Sequence, residues 1–196
     1  MRDLAGDRAY PSDPDSALDV AIDPVARPGE YQELMLALVG DQDPARVQAD
    51  LSESLGEVIE EAGPNLRTRP AAGEWSVVEL LGHLLDAELV SAARYRWILA
   101  QDEPRLVGYD ENRWVEGLRH NEADPGSLLA LFRTLRRSNL DLWEGSSEAE
   151  RARVGIHEER GPESYELIFR MIAGHGLFHL AQIRRTLRAV AVGSIE

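Results

Sequence analysis

Residues 76–100 read SVVELLGHLLDAELVSAARYRWILA. Ser76, with Glu79 three positions later and an apolar run directly behind, is the capping-box pattern of a helix start. Leu80, His83, Ala87 and Val90 then recur at helical spacing, which predicts one helix to about Ala100 with these residues on one face. Three similar patterns surround it. Asp43-Pro44 reads as an N-cap with proline at the first helical position. Val47, Leu51, Leu55, Val58, Ile59 and Ala62 follow at helical spacing, and Gly63-Pro64 ends the run. Asp124-Pro125 opens another helix, with Leu128, Leu131, Phe132, Leu135 and Leu142 as its stripe. Pro162 is read as the start of the last, on which Ile168, Ile172, His175, His179, Ile183 and Leu187 share a face.

Tyr31–Val39 is a short apolar helix closed by Gly40, and no segment shows the apolar–polar alternation of a strand. Four amphipathic helices predict an all-α fold, a four-helix bundle over residues 29–196. Residues 1–28, rich in Asp, Pro, Ala and Ser, read as an irregular N-terminal arm. The connection from Gln101 to Ala123 is long for a bundle, and is predicted to cross the bundle end or carry function.

Composition narrows the functions. A chain of 196 residues suits one domain. The net charge of −14 argues against nucleic acid and anionic membranes as partners. No apolar run approaches the roughly 20 residues that span a bilayer, and no signal peptide is visible, so a cytoplasmic location is expected. With no cysteine, a thiol in the chemistry must come from outside the chain. All 21 basic residues are arginine, which follows no functional rule.

The histidines carry the chemistry. Residues 174–183, GHGLFHLAQI, place His175 and His179 four apart on a core-facing stripe, and His83 lies on another. Buried imidazoles cost free energy unless partnered, and one ion can orient all three. Three histidine nitrogens with room for water form an open divalent metal site, suiting zinc first and also nickel, iron or cobalt. Gly174 and Gly176 would let a partner helix or a ligand come close. Asp86 and Glu79, at i+3 and i−4 from His83, and Gln182, at i+3 from His179, are placed to orient ligand rings through their second nitrogens. His120 and His157 fall in polar loops and are predicted at the surface.

The chain resembles the DinB-like superfamily, in particular its YfiT-like branch. Residues 70–88, PAAGEWSVVELLGHLLDAE, are similar to the family's second-helix signature. Arg94 with Tyr109-Asp110-Glu111 and Trp114 resembles its next block, and His175 through Ile183 resembles its last-helix motif. The resemblance implies a bundle with a long crossover, a possible homodimer, and a divalent metal on His83, His175 and His179. Characterised relatives join a low-molecular-weight thiol to an electrophile or isomerise maleylpyruvate with a thiol; others are named metal-dependent hydrolases. The nucleophile would then be a metal-bound water or thiolate, not a side chain. Arg94, Arg113 and Arg119 are candidates to hold a carboxylate-bearing thiol, and Tyr109 and Trp114 to wall the substrate site. The expected function is therefore a metal-dependent enzyme acting on a small molecule, with thiol S-transfer preferred. Hydrolysis is the nearest alternative, and a non-catalytic metal- or ligand-binding bundle is a third.

Overall fold

A computed structural model describes residues 10–20, 22, 24 and 26–193. In chain order the helices are α1 (Pro14–Ala17), α2 (Pro28–Val39), α3 (Pro44–Ala62), α4 (Val77–Ala100), α5 (Glu111–Gly117), α6 (Pro125–Glu144), α7 (Glu148–Arg151) and α8 (Tyr165–Gly193). The long helices α3, α4, α6 and α8 form the bundle, and α2 lies against α8.

Three of the four bundle helices begin at the predicted caps. The Asp43 carboxylate accepts the Ala45 N–H at 2.9 Å, and that of Asp124 accepts the Ser127 N–H at 2.8 Å. At the head of α4, Ser76 and Glu79 close the reciprocal capping box. Leu51 and Leu55 of α3, Leu80, Leu81 and Leu84 of α4, Phe132 of α6 and Ile183 of α8 form the main core. Full burial of each such side chain contributes about 1.5–3 kcal/mol. A second core at the other end gathers Tyr95, Trp143, Tyr165 and Phe169, with Trp143 stacked on Phe169 at 4.1 Å.

The absence of strands is corrected. β1 (Arg105–Leu106), β2 (Val154–His157) and β3 (Gly161–Ser164) form a small sheet in which β1 is parallel and β3 antiparallel to β2. Runs of two to four residues are too short for alternation to register. Pro162, read as a helix start, is instead a strand residue opposite Ile156. It sits on the outer strand of the sheet, where its missing N–H is tolerated. Helix α8 begins only at Tyr165. The sheet matters for the site because β1, from the predicted crossover, is tied to β2 and fixes that connection against the end of the bundle.

The stripe on α6 holds at Leu128, Phe132 and Leu135, which pack in or against the main core, but not at Leu131. Leu131 is 50% exposed, and the buried face carries Phe132, Arg136, Asn139 and Trp143. Arg136 and Asn139 are accommodated by Glu88 of α4. Arg136 Nη2 pairs with Glu88 Oε2 at 2.7 Å, and Asn139 Nδ2 donates to Glu88 Oε1 at 2.7 Å. Arg136 Nη1 also donates to Gln48 Oε1 at 2.8 Å, and Gln48 Nε2 donates to the Phe169 carbonyl at 2.8 Å. This buried network joins α3, α4, α6 and α8.

Of the N-terminal segment read as an arm, residues 1–9, 21, 23 and 25 lie outside the described residues. In the rest, Ala17 is fully buried in a small cluster with Leu34, Met35 and Leu38, flanked by Tyr10 and Val20. Among the described residues no helix is long and apolar enough to cross a membrane.

Candidate metal centre

His83 on α4 and His175 and His179 on α8 meet in the bundle interior. His83 Nε2 lies 3.1 Å from His175 Nε2 and 3.2 Å from His179 Nε2. Two other helices make room for this. A Cβ at Gly174 would come 2.0 Å from the Met35 carbonyl oxygen of α2, and one at Gly176 would come 2.4 Å from Leu51 Cδ2 of α3. The glycines flanking His175 therefore admit α2 and α3 to close contact with α8.

Burial pushes His83 and His175 well below the usual imidazole pKa, and the neighbouring rings push the same way. Burial likewise brings His179 down to about 4. All three rings are thus neutral near pH 7 and present a nitrogen lone pair as a ligand atom. His179 Nδ1 lies 2.8 Å from Gln182 Oε1, to which it donates a hydrogen bond, and this turns Nε2 to the centre.

The donor set fits a divalent ion. Tetrahedral coordination at about 2.0–2.1 Å puts ligand nitrogens roughly 3.3–3.4 Å apart, close to the spacings found. These three histidines form a group able to hold a metal, with ligand atoms all within 4.8 Å of one another. Glu111 stands at the edge, with Oε2 3.9 Å from His83 Nε2. Replacing Gln182 by leucine leaves the His179 tautomer unset, and should weaken metal affinity about 10–100-fold in a chelator competition titration.

The other expected residues divide. Asp86 does not orient a ligand ring: its Oδ2 is 2.7 Å from His120 Nε2. Gly82 makes that possible, since a Cβ there would meet the His120 ring at 2.3 Å. Glu79 is likewise occupied, by the Ser76 cap and by Arg69 Nε at 3.0 Å. Arg113 is exposed and pairs with Asp110 at 3.5 Å, and Arg119 is exposed at a left-handed turn. Trp114 packs on Tyr109 with ring centroids 4.5 Å apart. Arg94 and Tyr109 do line a cavity of about 650 Å³ that reaches His175.

Two histidines predicted at the surface are buried, His120 5% and His157 2% exposed. Their neighbours come from distant segments, Asp86 bonded to the first and Arg94 beside the second, which spacing along the chain cannot reveal. Burial, with the nearby Arg160 and Arg94 charges, brings His157 down to about 4. Unfolded, the ring titrates near 6.5, so below that pH the unfolded chain binds a proton that the folded chain refuses. Its contribution is complete above pH 6.5 and declines as pH falls to about 4. Urea unfolding over this window should show His157→Gln reducing the slope of stability with pH by up to about 1.4 kcal/mol per unit.

A model of the DinB superfamily matches residues 46–183, which include all three histidines. The chain belongs to the DinB superfamily. It is 29% identical over 126 residues to a protein of Oceanobacillus iheyensis named "Putative metal-dependent hydrolase", covering 64% of this chain and 73% of that one. A Bacillus licheniformis protein of the same description is 27% identical over 136 residues, covering 68% and 75%. The solved structure of YfiT from Bacillus subtilis superposes with a TM-score of 0.68 at 22% identity, covering 87% of this chain and 91% of that one. That protein is described as a probable metal-dependent hydrolase with an unusual four-helix bundle topology. The likeness shows that the two chains share a fold.

Proposed function

We propose that this DinB-superfamily chain is a metal-dependent enzyme that holds one divalent ion, zinc first, on His83, His175 and His179. Its substrate is a small organic molecule bound in the adjoining cavity. The observation that carries this is the convergence of three neutral Nε2 atoms beside a cavity of about 650 Å³. A divalent ion held by these three neutral nitrogens would supply Lewis acidity, lowering the pKa of a water or an external thiol beside it. The protein contributes the rest. Glu111 Oε2, 3.9 Å from His83 Nε2, is the proton acceptor at the rim of the centre. Burial and the Glu111 charge push the Tyr31 and Tyr109 phenols well up, so both stay protonated and can donate to negative charge on a substrate.

The names of the relatives support hydrolysis. Transfer of an external thiol is the second reading, and one observation favours it. A second cavity of about 290 Å³ reaches His179 and shares Tyr31 and Glu111 with the first, which reaches His175. Two approaches to one centre suit two reactants. A panel of esters, amides and carbon electrophiles, assayed with and without low-molecular-weight thiols, separates the readings. Turnover without thiol supports hydrolysis, and turnover only with thiol supports transfer. A metal-loaded protein inert throughout the panel would contradict both and leave a metal- or ligand-binding role.

A further inference from the structure

The same cavity is also lined by a cation, Arg94, to which the function proposed above gives no role. Arg94 lies three helical turns after His83 on α4, a rise of about 16 Å and nearly the same face. Ala87, Val90 and Ser91 line the cavity between them, opposite Ile168 and Ile172 of α8. Arg94 is only 7% exposed. Arg94 Nη2 donates to the Val107 carbonyl at 2.7 Å and lies 3.2 Å from His157 Nε2. Nε is buried without a partner among the described residues. No carboxylate among them pairs with this guanidinium: the nearby Glu163 is bound to Arg160, with Oε2 3.0 Å from Arg160 Nη2. A buried cation without an anion is costly.

His157 sharpens the point. A neutral ring has one proton, and the Glu159 backbone N–H points at His157 Nδ1 from 3.2 Å. Nδ1 is therefore the acceptor, and the proton sits on Nε2. That N–H faces Arg94 Nη2, itself a donor, at 3.2 Å. Two donors converge with no acceptor between them.

We propose that Arg94 and His157 form a carboxylate-binding subsite, and that the substrate is a small carboxylic acid whose other end reaches the histidine centre. This names the substrate class of the function proposed above and rests on it for the location of the reacting end. The planar guanidinium matches a carboxylate in shape. Asp110, Glu111, Glu158 and Glu159 also line the cavity, so a carboxylate is held there by the local Arg94 fork and not by the net charge of the lining.

The test is calorimetric titration of the full-length, metal-loaded protein with glutarate, its neutral diamide glutaramide, and inorganic phosphate. The wild type should bind glutarate at least tenfold more tightly than glutaramide. Arg94→Met should abolish that preference and His175→Ala should keep it. Equal affinity for glutarate and glutaramide in the wild type would overturn the subsite without requiring any variant to fold. So would a preference that survives Arg94→Met. Loss of the preference in His175→Ala, with Arg94→Met unaffected, would place the carboxylate on the metal, rejecting the subsite while upholding the metal centre. Phosphate binding more tightly than glutarate would reject a carboxylate as the ligand. An Arg94-dependent preference in a protein that never retains metal would uphold the subsite and reject the metal-enzyme reading.

Discussion

Glu88→Ala is expected to destabilise the protein by about 3–5 kcal/mol, the cost of breaking a buried pair by removing one partner. Glu88 is 1% exposed and serves two groups, Arg136 Nη2 and Asn139 Nδ2, each at 2.7 Å. Without it the Arg136 guanidinium, 2% exposed, keeps the neutral Gln48 oxygen and the Phe132 ring face but no anion among the described residues. The loss should exceed that at any surface pair, such as Arg137 with Asp141, where both side chains are more than half exposed and a removed partner costs at most about 1 kcal/mol. Urea denaturation of the two variants checks the contrast. The double variant Glu88→Met/Arg136→Met should recover much of the loss, because it leaves no unpaired charge behind.

Gly174→Ala is expected to cost about 3 kcal/mol, while Gly176→Ala is nearly neutral. Both sit inside α8, where alanine is favoured over glycine by about 1 kcal/mol. At Gly174 the new Cβ would lie 2.0 Å from the Met35 carbonyl oxygen and 2.7 Å from its carbon, so backbone of α2 must move. Overpacking of that kind costs typically 1–3 kcal/mol and occasionally more. At Gly176 the obstacle is Leu51 Cδ2 at 2.4 Å, the far end of a side chain that can turn aside. Moving α2 also shifts the wall behind His175, so Gly174→Ala should weaken metal binding as well as stability. Thermal melts with and without a chelator separate the two effects.

Much of the fold was legible because its signals are local. Asp43-Pro44, Ser76 with Glu79 and Asp124-Pro125 each set a helix start through atoms at most three residues apart, and the structure uses all three. His175 and His179 were legible because an i,i+4 pair shares a face whatever the rest of the chain does. The unread features depend on partners distant in sequence. Glu88 carries no local sign of its role, because its partner Arg136 lies on another helix. His120 and His157 looked like loop histidines until Asp86 and Arg94 enclosed them. Spacing alone places Asp86 beside His83 on its own helix, whereas Gly82 opens the space through which His120 takes its carboxylate. The sheet escaped because its strands are two to four residues long and one contains proline.

If three neutral histidines hold one divalent ion, the purified protein carries it, and metal content shows this. Inductively coupled plasma mass spectrometry on untagged protein, beside His175→Ala and His179→Ala, should find about one divalent ion per wild-type chain and almost none in either variant. A folded wild-type protein that carries no metal and takes up none from added zinc, nickel or iron would contradict the account.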